Sequence, residues 1–84
     1  MTRKMTKERK WQLVYNLEEY LDNRNVDFEE IGIDDDTSTD ERYYICLGYI
    51  VELVDTDDEQ YFWEKVIGFT KEELIAEGME WVYE

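Results

Sequence analysis

Three short strings punctuate the chain: Ser38-Thr39-Asp40-Glu41, Thr56-Asp57-Asp58-Glu59 and Thr70-Lys71-Glu72-Glu73. Each sets a hydroxyl three residues ahead of a glutamate, the pattern in which a side-chain oxygen and a carboxylate satisfy the free amides of a helix start reciprocally. Each new start requires the preceding helix to have ended, so the pattern dictates short helices. With no proline and four scattered glycines among 84 residues, no interdomain linker is visible. One acidic domain, 1–84, is expected, with residues 1–6 as a frayed basic tail.

The periodicity predicts four helices, at 7–22, 40–54, 57–67 and 71–82, in a small, mainly α bundle. In the first, Leu13, Val14, Leu17, Tyr20 and Leu21 share one face, while Glu18, Glu19 and Asp22 look away. Its basic first turn opposes the helix dipole, so fraying before Lys10 is expected. Residues 26–33 alternate loosely and read as an extended arm. The string YYICLGYIVELV at 43–54 is β-branched and aromatic, which also suits a strand. An α+β alternative therefore pairs 26–33 with 43–54 as a β-hairpin (αββαα). As a helix, 43–54 puts Tyr43, Leu47, Ile50, Val51 and Val54 inward, with Ile45 and Tyr49 outward. So apolar an element invites cover by a second copy. Phe62, Val66, Ile67, Leu74, Ile75, Met79 and Val82 supply the remaining core.

Much chemistry is excluded. The chain has no histidine, one cysteine (Cys46) and one serine (Ser38), which leaves no tetrahedral zinc site, no disulfide and no Ser-His or Cys-His pair. Calcium loops starting at Asp34 or Asp55 fail at the required glycine and at the bidentate glutamate. No metal, no cofactor and no enzymatic activity are expected. No apolar run reaches the ~20 residues of a membrane span, and a lone thiol suits a cytoplasmic location (a bacterial host cell if phage-encoded).

Charge is the property left to explain. The net charge is −14, yet residues 1–10 carry five basic groups against one glutamate. The remainder opposes its many acids with Arg24, Arg42, Lys65 and Lys71 alone. A tandem of helices at 57–67 and 71–82 has the outline of a helix-turn-helix, but a reading helix KEELIAEGMEWVYE would be repelled by phosphate. The opposite sign of partner fits. Duplex DNA carries one charge per ~1.7 Å of axis, and carboxylates one helical turn apart sit about 5–6 Å from each other. Ranks of acids can stand in for phosphates before a basic groove.

The candidate acids are Asp27, Glu29 and Glu30; Asp34, Asp35, Asp36, Asp40 and Glu41; and Asp55, Asp57, Asp58 and Glu59. Aromatic anchors concentrate binding energy, and the candidates are Tyr43, Tyr44, Tyr49, Tyr61, Trp63 and Tyr83. In general type, small, acidic and aromatic-rich, the chain resembles phage inhibitors that occupy the nucleic-acid groove of host proteins, anti-CRISPR proteins among them. The expected function is a non-enzymatic nucleic-acid mimic that binds a basic, nucleic-acid-binding protein and blocks its DNA or RNA groove. The alternative is a structural or regulatory interaction domain, possibly a homodimer joined through 43–54.

Overall fold

In the computed structural model, residues 5–54 and 56–84 are described. The fold is mainly helical, and no strand occurs among the described residues, so the αββαα alternative is set aside. α1 spans Lys7–Asn23 and α2 spans Thr39–Leu53. α3, Glu59–Tyr61, runs directly into a π-helical segment, Phe62–Ile67. α4 spans Lys71–Ala76, and a 3-10 turn, Glu80–Tyr83, closes the chain.

α1 starts at Lys7 in spite of its basic first turn, because Thr6 caps it. The Thr6 hydroxyl accepts from the Arg9 amide at 3.1 Å. Leu13, Val14, Leu17 and Leu21 are fully buried against α2, which contributes Tyr43, Cys46, Leu47 and Ile50. Apart from the exposed Tyr44, the apolar residues of 43–54 thus find full or partial cover within one chain. The buried arc is wider than expected: Ile45 and Tyr49, placed outward by the periodicity, are half-buried on the core, as are Val51 and Val54.

Residues 26–33 are a correction to the sequence reading. They form successive turns in place of an extended arm, with Glu30 N–H bonded to the Asp27 carbonyl and Ile33 N–H to the Phe28 carbonyl. The Asp27 side chain accepts from the Glu29 amide, and Gly32 supplies a φ of 91°. Such local bonds favour turns over extension. Ile33 is thereby delivered to the core.

The second half departs further from regular helix. Asp58, not Thr56, caps α3, accepting from the Tyr61 amide at 3.1 Å; Thr56 accepts from the Asp58 amide. Aspartate is the stronger cap and outcompetes the hydroxyl two residues earlier. The following π segment buries Phe62, Trp63 and Ile67. Its wider turn brings residues five apart onto one face, so Ile67 keeps its expected inward place with Phe62, while Val66, also expected inward, is 50% exposed. Gly68, at φ 100°, ends the segment with its amide on the Trp63 carbonyl.

The expected helix 71–82 is broken. α4 begins with the full Thr70/Glu73 capping box and stops at Ala76. Gly78, at φ 80°, turns the chain, and Met79 N–H returns to the Leu74 carbonyl. Leu74, Met79 and Val82 are buried as expected, whereas Ile75 is exposed. No helix among the described residues is long and apolar enough to cross a membrane.

Candidate protein-interaction surface

The described cations are largely engaged within the fold. Arg9 donates from Nε and Nη2 to the Glu73 carboxylate, both at 2.8 Å, and from Nη2 to the Gly68 carbonyl at 2.6 Å. The Arg9 guanidinium holds the Glu73 carboxyl below its ordinary value, against the opposing effect of partial burial, and the Thr70 amide adds to the lowering. Arg42 donates to Glu18 at 3.0 Å and to the carbonyls of Thr37 and Asp34, which fastens the 34–38 loop to α1 and α2. Lys10 pairs with Asp40 at 3.0 Å and lies over the rings of Tyr43 and Tyr44. Arg24 lies over Tyr20 and Lys71 over Tyr83. Three acids, Glu18, Asp40 and Glu73, are paired this way.

The candidate acids divide by what else they do. Asp27, Asp34 and Asp58 are exposed but accept backbone amides in turns and caps, and Asp40 takes Lys10. Glu29, Glu30, Asp35, Asp36, Glu41 and Asp57 are exposed, with no side-chain partner among the described residues. Glu59 is half-buried, and Asp55 lies outside the described residues. The structure gathers Glu29, Asp34 and Asp35 with Glu18 and Arg42 around one shallow cavity of about 270 Å³, floored by Phe28 and Ile33. Glu18, which the periodicity turned outward, is therefore part of this rim. No hydrogen bond or ion pair among the described residues joins Asp57, Asp58 or Glu59 to that group. No acid cluster among the described residues has the geometry to hold a metal ion.

The aromatic anchors need correction. Trp63 and Tyr43 are completely buried; the Trp63 Nε1 has no hydrogen-bond partner among the described residues, and the Tyr43 hydroxyl lies near the Glu77 carboxylate. Burial, with the nearby Glu77 carboxylate, pushes the Tyr43 hydroxyl far above its usual range. Burial likewise raises Glu77. Both rings were drawn inward because a π turn and an unbroken α2 face the core. Tyr49 is half-buried, and Tyr83 donates its hydroxyl to Glu64. Of the six candidates, Tyr44 and Tyr61 are fully presented to solvent. Cys46 is buried, and its thiol is pushed up to about 12, so it is no nucleophile at neutral pH.

Three exposed aromatics lie outside the candidate set: Trp81 in the closing 3-10 turn, and the pair Trp11 and Tyr15 on the solvent side of α1. Their i, i+4 spacing on the face opposite Leu13, Leu17 and Leu21 was the available signal. They border a second shallow cavity, of about 390 Å³, with Arg9, Gln12 and Asn16. No protein-family model, characterised protein or solved structure matches this chain.

Proposed function

We propose that this protein is a non-enzymatic nucleic-acid mimic, which binds a basic, nucleic-acid-binding protein of a bacterial host and occupies its DNA or RNA groove. One observation carries the reading. Among the described residues, six exposed carboxylates from the candidate set have no internal partner, while Arg9, Lys10 and Arg42 are consumed by ion pairs inside the fold. The net charge of −14 is far beyond the magnitude of roughly 2–8 that keeps a small domain soluble. Self-repulsion on that scale destabilises a compact chain, and docking into a cationic groove relieves it. The acids speed encounter and set orientation; Tyr44 and Tyr61 are the exposed rings of the original set that can add contact area.

The test is capture from a bacterial lysate on immobilised protein, elution in a salt gradient, and displacement assays on whatever leaves late. The expected result is a nucleic-acid-binding protein whose capture is competed by DNA or RNA and weakens steeply with salt. Replacing Asp35, Asp36 and Glu29 by the amides should advance elution. Capture insensitive to both salt and nucleic acid would remove the proposal.

A further inference from the structure

The groove on α1 has chemistry of its own. Trp11 is 53% and Tyr15 68% exposed, and their four-residue spacing sets them about 6 Å apart along the helix axis. Some rings elsewhere carry a cation: Arg24 stands 4.9 Å from the Tyr20 centroid, Lys10 5.3 Å from Tyr43 and Lys71 5.1 Å from Tyr83, whereas among the described residues the exposed rings Tyr61 and Trp81 stand singly. Among the described residues, Trp11 and Tyr15 have no such cation and stack on no other ring.

The floor between them is electrically quiet but polar. Arg9 directs its donors to Glu73, Gly68 and the Gln12 side-chain oxygen, so its charge is answered within the fold. Asn16 donates its Nδ2 to the Ile67 carbonyl at 2.8 Å, which orients the amide and leaves its oxygen as an acceptor. The same solvent edge of α1 continues into Glu8 on one side and Glu19 and Asp22 on the other, all exposed, with Lys7 as the one exposed cation beside them on α1 among the described residues. Two bare rings, an oriented acceptor and flanking carboxylates suit a planar cation.

We propose that this groove receives an arginine side chain from a basic segment of the partner protein, its guanidinium lying against Trp11 and Tyr15. The partner class rests on the mimic reading above; the preference of the groove for arginine does not. Guanidinium is planar and weakly hydrated, and stacks on aromatic faces while still donating hydrogen bonds at its edge. An ammonium satisfies the flanking acids equally well and is also drawn to a ring face, but it is more strongly hydrated and has no plane to lay against the rings. Charge complementarity therefore selects a basic segment, and the rings select arginine within it.

The experiment compares an oligoarginine and an oligolysine peptide of equal length, titrated into the full chain by calorimetry at physiological ionic strength. The expected result is binding of the arginine peptide tighter by about threefold or more, the margin left to a stacked, weakly hydrated guanidinium over an ammonium on the same rings. Trp11→Ala/Tyr15→Ala should bring the two affinities together, and so should Trp11→Leu/Tyr15→Leu, which keeps apolar cover over the helix while removing the rings. Asp35→Asn/Asp36→Asn should weaken both peptides and leave their ratio intact. Equal affinities in the unaltered protein, or a ratio untouched by both ring variants, would overturn the groove assignment. Either result leaves the lysate competition unaffected, so failure here and failure of the mimic reading are separable.

Discussion

α1 and α2 run unbroken for 17 and 15 residues, whereas residues 59–83 pass through α, π, α and 3-10 geometry in turn. The contrast follows from where the large side chains fall. In the first half, apolar residues recur at the helical period, so regular geometry buries Leu13, Val14, Leu17 and Leu21 together with Tyr43, Leu47 and Ile50. In the second, Phe62 and Trp63 are adjacent and Ile67 is five residues after Phe62. In an α-helix Phe62 and Ile67 would lie about 140° apart around the axis, and the wider π turn draws them closer to one face. Widening the turn sacrifices ideal backbone geometry to keep the largest side chain dry. Backbone regularity here is subordinate to burial.

The sharpest way to break this comparison is Trp63→Ala. If the irregular half exists to bury that indole, the loss should reach about 3–5 kcal/mol, at the top of what Leu17→Ala would cost in the regular half. Urea denaturation measures both; a Trp63 variant losing under ~1 kcal/mol, within the range of ordinary point substitutions, would mean the π turn has another cause.

A smaller effect is expected at the joint between the halves. Arg9→Met removes a two-point bond to Glu73 and a donor from the Gly68 carbonyl, at a cost of roughly 2 kcal/mol. The Glu73 carboxyl is lowered in the folded state. Its contribution is therefore complete above the ordinary carboxylate pKa of about 4.3 and is lost as pH falls through the lower folded value. The stability gap between the variant and the unaltered protein should close in acid; a gap constant with pH would assign the loss to packing alone.

The smallest effects come from two glycines that should move in opposite directions. Gly78 sits at φ 80° with open space around its α-carbon, so Gly78→Ala costs backbone strain alone, about 1 kcal/mol. Gly48 lies in mid-α2, also with open space beside it, and Gly48→Ala should stabilise by about 0.5–1 kcal/mol. Thermal melts of the two variants would show whether regular and irregular halves respond as oppositely as their backbones imply.

The helical class and the first two helices were legible, because Leu13 to Leu21 and Tyr43 to Ile50 repeat at a helical period and Ser38 marks a start. The ambiguity at 43–54 arose because β-branched and aromatic residues favour strands in general; tertiary cover by α1 overrode that preference. The turns at 28–32 were missed because the pattern of Val26, Phe28, Ile31 and Ile33 imitates alternation, while the deciding bonds came from Asp27 and a left-handed Gly32. Val66 and Ile75 were misplaced by assuming one helical period through a π turn and a glycine break.

The acids of the candidate surface were readable as a composition, and their exposure is largely as expected. The rings were not. Tyr43 and Trp63 read as contact residues by type, yet type says nothing about depth; Trp11 and Tyr15 were hidden by attention to the apolar face of their own helix.

Arg9 has a consequence for how the molecule is put together and taken apart. Its partner Glu73 is 64 positions away, so one side chain near the beginning fastens a segment near the end. The entropy of closing such a loop grows only slowly with its length, so tying the two ends together costs little more than a shorter tie would. Proteolytic trimming through residue 9 would thus remove a tie on α4, at the opposite end of the chain, and leave Leu13, Leu17 and Leu21 of α1 in place against α2.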